Sequence, residues 1–149
     1  MSHPNWMVAI SIRPAATMFK LSARSLTKLE GVHPDLVRVV ERAIGLSPID
    51  FGVTEGLRTI ERQRELVAKG FSKTLNSKHL AGRAVDLIAA GDLDLDGDID
   101  AQDKSLTWSP AIYGTINVAM TQAATELGVK IRWGGLFKNF FDGVHWELM

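Results

Sequence analysis

The 149-residue chain contains no cysteine. That absence excludes disulfide scaffolds, cysteine-ligated zinc ribbons, iron–sulfur clusters and cysteine nucleophiles. Any transition-metal site must be assembled from histidine, aspartate and glutamate, and only four histidines exist: His3, His33, His79 and His145. No apolar run approaches the ~18 residues of a membrane span, so membrane insertion is not expected. Trp6–Ile12 is a short apolar run with no basic residue before it, closed by Arg13 and Pro14. It does not have the form of a secretory signal, which implies synthesis in a cytoplasm and release by some other route.

Net charge is zero, with 17 basic and 17 acidic residues, but the halves differ. Residues 1–86 hold 13 Lys/Arg against 8 Asp/Glu, and residues 87–149 hold 4 against 9. Six of those nine acids fall between Asp92 and Asp103. The weakly basic remainder is too scattered to indicate nucleic-acid binding. Hydrophobic residues make up 46% and charged residues 23%, a globular composition at a length that fits one domain.

Helix signals are clear. Pro34 opens an apolar stripe of Leu36, Val37, Val40 and Ile44 that Gly45 can end. Thr59 can cap a helix over Ile60–Lys69, closed by Gly70. Ser109-Pro110 starts a third, with Ile112, Ile116, Ala119, Ala123 and Leu127 on one face before Gly128. Phe51–Glu55, Ala84–Ala89, Val129–Trp133 and Val144–Leu148 read as short strands, the last two as a hairpin. Helices mixed with a few strands predict an α+β fold around a small, largely antiparallel sheet packed with helices.

Two stretches carry metal chemistry. In Ser77–Leu87, His79 and Asp86 are seven residues apart, too far and in the wrong phase for one face of one straight strand. Gly82 permits a turn between them, after which Ala84 and Asp86 share a face. Asp86 is then a carboxylate in an apolar strand, which requires a partner or a metal. In Asp142–Leu148, Asp142 precedes His145 by three residues at the start of an aromatic strand. Two histidines and a carboxylate with one open position form a catalytic rather than a structural zinc set, and a further carboxylate could act as base. The same residues also admit a plain reading: His79 in a turn, Asp86 paired with Arg83, and His145 packed in a strand.

The segment FGVTEGLRTIERQRELVAKGFSKTLNSKHLAGRAVDL, with WGG and DGVHWEL after it, resembles the zinc peptidases that cut peptidoglycan peptides. That group includes the D-Ala-D-Ala carboxypeptidases and dipeptidases and the phage L-alanyl-D-glutamate endopeptidases. The resemblance spans Phe51 to Leu148 and implies the D-Ala-D-Ala peptidase/hedgehog-like architecture. By motif, His79, Asp86 and His145 resemble the three zinc ligands and Asp142 the catalytic base, an aspartate as in the endolysin branch. Arg58 resembles the arginine that binds substrate and polarises the scissile carbonyl, and Ser77 a polar residue of the substrate pocket. Gln63 is expected at a solvated helix position. Glu147 shares a face with His145 and is expected beside the ligands rather than among them. His3 and His33 are expected to be structural or solvated, and Trp133 and Trp146 to be core or pocket-wall aromatics.

Asp92–Asp103 reads DLDLDGDIDAQD and matches the twelve-position calcium loop. Asp92, Asp94 and Asp96 fill the first three ligand positions, Gly97 supplies the sharp turn and Asp98 its carbonyl. Asp100 stands where a water often mediates, and Asp103 replaces the usual closing glutamate. A solvated acidic loop would scatter its acids rather than alternate them in register with Gly97 and Ile99. A β-like run precedes the loop, so a full helix–loop–helix is not required.

The expectation is therefore a single peptidase domain over residues 1–149 with an EF-hand-like calcium loop inserted at 92–103. It would be a monomeric zinc hydrolase acting on bacterial peptidoglycan as a phage or prophage endolysin, with calcium in a regulatory or structural role. Synthesis in the host cytoplasm and release through a holin-type lesion would bring it to the wall. The alternatives are a D-Ala-D-Ala carboxypeptidase on the same scaffold and a non-catalytic calcium-dependent cell-wall-binding module.

Overall fold

Four short strands form an antiparallel sheet in the order β1-β2-β4-β3: β1 Asp50–Glu55, β2 Ala84–Ala90, β3 Ile131–Trp133 and β4 His145–Leu148. The structure, a computed structural model, describes residues 18–149. His3 and the Trp6–Ile12 run lie outside the described residues. Among the described residues five α-helices accompany the sheet: α1 Ala23–Lys28, α2 Pro34–Leu46, α3 Ile60–Ala68, α4 Ala101–Leu106 and α5 Pro110–Leu127. The α+β architecture is as expected, and the sheet is antiparallel throughout.

Alternation along the strands divides the sheet into two chemically different faces. Phe51, Val53, Val85, Leu87, Ala89, Trp146 and Leu148 turn into the hydrophobic core. There they meet Leu36, Val39, Val40, Ala43 and Ile44 of α2 and Ile112, Tyr113, Ile116, Met120 and Ala123 of α5, which pack on each other. Even in this core the polar atoms are partnered: the Trp146 indole N–H donates to Asn117 Oδ1 at 3.0 Å, and Tyr113 Oη accepts from the Ala89 amide at 3.2 Å. The opposite face carries Asp86, His145 and Glu147.

The helix boundaries follow local chemistry. His33 caps α2, its Nδ1 accepting from the Asp35 amide at 3.1 Å, so this histidine is structural. Helix α2 runs through Gly45 and stops at Leu46, one residue later than the glycine signal predicts. Thr59 caps α3 as expected, and Gly128 ends α5 in the left-handed region at φ 68°. Leu127, placed in the α5 stripe by its spacing, is 38% exposed because it lies in the last turn, beyond the packed part of the helix. The short α1 was not foreseen. It has Ser22 as cap, and its buried Ser25 accepts from the Val53 amide at 2.9 Å, tying the helix to β1.

Two backbone features place the site. Val53 pairs with Leu87 but Glu55 pairs with Asp86, so Thr54 is an extra residue in β1. Without this bulge Glu55 would align with Val85 on the core face; with it, Glu55 joins Asp86 on the polar face. The second is Gly82, at φ 68°, which ends the 3₁₀ turn Lys78–Ala81 and turns the chain into β2. A Cβ there would stand 2.4 Å from the Gly31 carbonyl oxygen. Gly70 has a similar φ of 78° but open space around it. Gly70→Ala should therefore cost about 1 kcal/mol in urea unfolding, and Gly82→Ala about 2–4 kcal/mol, since it adds the steric clash. Equal costs would show that the close approach to Gly31 contributes nothing.

Candidate active site and metal centre

The pairing of β2 with β4 places Asp86 directly opposite His145, and the 3₁₀ turn before β2 delivers His79 to the same carboxylate. Asp86 Oδ1 lies 3.1 Å from His79 Nε2 and 3.2 Å from His145 Nδ1. The remaining ring nitrogens are anchored from behind. His79 Nδ1 donates to the Gly56 carbonyl at 2.8 Å, and His145 Nε2 donates to Glu147 Oε1 at 2.9 Å. Glu147 is in turn held by Lys78 Nζ at 3.1 Å. With those tautomers fixed, two imidazole lone pairs and a carboxylate oxygen converge, three acceptors facing one another. Such a set needs a cation between its members, either protons or a metal.

The dimensions fit a metal. Donors 2.0–2.1 Å from a tetrahedral zinc stand roughly 3.3 Å apart. One ligand atom from each of His79, Asp86 and His145 lies within 4.8 Å of the others. Backing of each imidazole by a carbonyl or carboxylate is the outer support that metal-ligating histidines require. Burial opposes charge on His145, but hydrogen bonds to Asp86 and Glu147 outweigh it and push its pKa up to about 9. Burial likewise works against charge on Asp86, yet both histidines overcome it and hold the carboxyl far below its usual range. The plain pairing of Asp86 with Arg83 does not occur; Arg83 instead donates to the Met149 carbonyl at 3.3 Å.

Arg58 closes one side. Its side chain is 8% exposed and binds Glu55 through two parallel 2.7 Å hydrogen bonds from Nε and Nη2. Nη1 donates to Gln63 Oε1, also at 2.7 Å, and Nη2 lies 3.7 Å from Asp86 Oδ2. Three of the five guanidinium N–H groups are thus committed, leaving one on each terminal nitrogen. The Arg58 amide donates to the His79 carbonyl at 3.0 Å, which fastens this segment to the first histidine. Arg58 depresses the Glu55 pKa against the opposing effect of burial.

Gln63 is not solvated, as its helix position alone implied. It is fully buried, because α3 turns this face against the 72–74 loop. Its Nε2 donates to Ser72 Oγ at 2.9 Å and to the Thr74 carbonyl at 2.6 Å while its Oε1 receives Arg58. Glu55 was also missed, although its spacing of three from Arg58 is an ion-pair signal. Ser77 lines the cavity, and its Oγ accepts from the His79 amide at 3.2 Å, so it caps the turn carrying that histidine. Asp142 lines the same cavity, and burial raises its carboxyl above the ordinary range. Its main chain fits closely: a Cβ on Gly134 would lie 2.2 Å from the Asp142 carbonyl oxygen. Trp146 is in the core and Trp133 stacks on it with ring centres 6.2 Å apart.

The cavity over these residues encloses about 430 Å³ and is also walled by Leu66, Phe71, Asn76 and Phe137. The Asp92–Asp103 segment lies outside it, running from the end of β2 into the first turn of α4, which holds Asp103. Asp92, Asp94 and Asp96 bring carboxylate oxygens together, as do Asp94, Asp100 and Asp103. Asp103 Oδ1 accepts from the Leu93 and Asp94 amides, and its Oδ2 from the Asp100 amide. Gly97 turns at φ 95°, while Asp98 contributes no carboxylate to either cluster. Partial withdrawal from water and the surrounding Asp92, Asp96 and Asp103 carboxylates push Asp94 up to about 6.

Comparison with known proteins agrees with this geometry. Residues 17–149 match the family described as phage L-alanyl-D-glutamate peptidase. The L-alanyl-D-glutamate peptidase of Escherichia phage T5 is 32% identical over 145 residues, covering 88% of this chain and 98% of the phage protein. The crystal structure of the Serratia marcescens L-Ala D-Glu endopeptidase ChiX superimposes with a TM-score of 0.75 at 42% identity. That match covers 90% of this chain and 92% of the Serratia chain. The chain is a peptidase, a hydrolase of amide bonds. It belongs to the phage L-alanyl-D-glutamate peptidase family.

Gln63→Leu should remove the tie between Arg58 and the 72–74 loop while leaving His79, Asp86 and His145 in place. A loss of about 1–3 kcal/mol in urea unfolding is expected, with lowered turnover. Unaltered turnover would show that Arg58 keeps its position without this bond.

Proposed function

We propose that the protein is a zinc-dependent endopeptidase that hydrolyses the L-alanyl–D-glutamate bond of peptidoglycan stem peptides, as an endolysin of a phage or prophage. One observation carries this reading: His79 Nε2, Asp86 Oδ1 and His145 Nδ1 converge beside Asp142 and Arg58 in one cavity. The nitrogen and oxygen donor set, without cysteine, favours zinc with an open position. Zinc bound there would act as a Lewis acid and lower the pKa of a water to roughly 7.

The remaining chemistry belongs to the chain. Asp142 serves as general base, taking the proton of the attacking water and returning it to the departing amine. Its carboxyl lines the cavity into which the three ligand atoms face, and a carboxylate so placed can do both. The free N–H groups of Arg58 bind the scissile carbonyl as its oxygen gains charge, and Glu55 and Gln63 hold that guanidinium still. Ser77 lines the pocket and fixes the His79 turn. Glu147 orients His145.

Asp142→Asn should retain stoichiometric zinc and lose roughly 10²–10⁴ in turnover, whereas His145→Ala should lose the metal. Mass spectrometry of digested muropeptides should find peptides that begin at D-glutamate. Release of terminal D-alanine alone would replace the endopeptidase with a D,D-carboxypeptidase. Wall binding without any product would leave a non-catalytic module.

The same reading makes residues 1–149 one peptidase domain, active as a monomer, with a calcium loop inserted at 92–103. Synthesis in the host cytoplasm followed by holin-type release would bring it to the wall. Among the described residues no helix is long and apolar enough to cross a membrane. Calcium at Asp92, Asp94, Asp96, Asp98, Asp100 and Asp103 would neutralise crowded carboxylates and steady the end of β2, the strand that carries Asp86. Zinc-loaded enzyme freed of calcium should regain wall hydrolysis as calcium is titrated back, and Asp94→Ala with Asp96→Ala should abolish that response. Equal activity with and without calcium would leave the loop no regulatory role.

A further inference from the structure

A second cavity of about 580 Å³ adjoins the first, and the two share Phe137 and Glu147 as lining residues. Its other walls are Arg132, Leu136, Lys138, Asn139 and Phe140. The sheet explains the placement. Arg132 on β3 pairs with Glu147 on β4, so it lies on the polar face that carries Asp86 and His145, beside Glu147 and two residues along from His145. The Phe137 ring bridges the cavities, 5.8 Å from the His145 ring and 5.3 Å from the Phe140 ring.

The charges in this second cavity are uncompensated. Glu147 is its only acidic lining residue, and that carboxylate is already committed to His145 at 2.9 Å and Lys78 at 3.1 Å. Among the described residues no carboxylate comes within ion-pair distance of Arg132 or Lys138, and neither side chain makes a hydrogen bond. Lys73 Nζ stands 5.9 Å over the Phe140 ring and adds a third cation at the rim. Free cations lining a cavity that opens onto the reacting groups attract an anionic part of the ligand.

We propose that Arg132 and Lys138 form the subsite for the D-glutamyl side of the substrate, binding the carboxylate that remains free when that residue is linked onward. This rests on the endopeptidase reading above. The two sides of an L-alanyl–D-glutamate bond differ in charge: alanine brings a methyl group, glutamate an additional carboxyl. The uncompensated cavity therefore sets the direction in which the peptide lies. Phe137 and Phe140 supply the apolar wall along the glutamyl methylenes, and the leaving amine faces the main site.

The test uses the zinc-loaded full chain and two synthetic stem peptides that differ only in this carboxyl, free in one and amidated in the other. Exposed ion pairs are worth a few-fold each, so wild type should prefer the free acid by about tenfold in kcat/KM, mainly through KM. Arg132→Gln and Lys138→Gln should each reduce that preference, and together bring it within about twofold. Raising salt to about 0.3 M should erode the wild-type preference in the same way. Lys28→Gln, on the exposed face of α1, should retain it. Cleavage of both peptides by wild type at equal rates would overturn the subsite and leave the endopeptidase standing. A preference that persists in the double variant would also overturn it. Cleavage of neither peptide would overturn both.

Discussion

The antiparallel pairing of β2 with β4 sets Asp86 opposite His145, and most of the site depends on that register. A slip of one residue would exchange the two faces of the strand, sending His145 into the core and Trp146 into the cavity. The core prevents this. Val85 and Trp146 pair on the inner face, Trp133 stacks on Trp146, and the Trp146 indole is tied to Asn117 on α5. Hydrophobic packing on one face thus fixes the geometry of a charged constellation on the other.

That constellation is held by layers of support. Asp86 sits between two histidines, each backed by an acceptor that is itself fixed: the Gly56 main chain for His79, and Glu147 for His145. Arg58 is gripped by Glu55 and Gln63, and Gln63 by the 72–74 loop. Burying this many ionisable groups would cost several kcal/mol per charge if they were unpaired. The side-chain polar atoms that are fully buried among the described residues all have hydrogen-bond partners. Order of this kind lets a hydrolytic site bind its ligand without first reorganising.

Each cavity has its own electrostatic character. The first holds both signs in close contact, with Asp86, Asp142 and Glu55 facing Arg58 and the histidines. The second presents cations without local partners on an aromatic wall. A peptide spanning both would place its amide at the mixed site and its acidic residue at the basic one. The acidic segment Asp92–Asp103 follows the end of β2 and lines neither the main cavity nor the basic one.

Much of this was legible in the residues. Caps and glycines marked α2, α3 and α5, alternation marked the strands, and the two motifs marked His79, Asp86, Asp142 and His145. Those signals are local, arising from φ preferences, capping and periodicity, and one chain suffices to show them. Other features depended on which segments meet. The Thr54 bulge that brings Glu55 to the polar face, the burial of Gln63 and the pairing of α1 with β1 are decided by neighbours distant in sequence. Arg132 gave no signal at all, because its place beside Glu147 on the polar face is fixed only when β3 pairs with β4. The sequence by itself determined the elements and the residue types of the site. Only the tertiary structure decided their alignment, because cross-strand register and burial are properties of the packed core and not of any one segment.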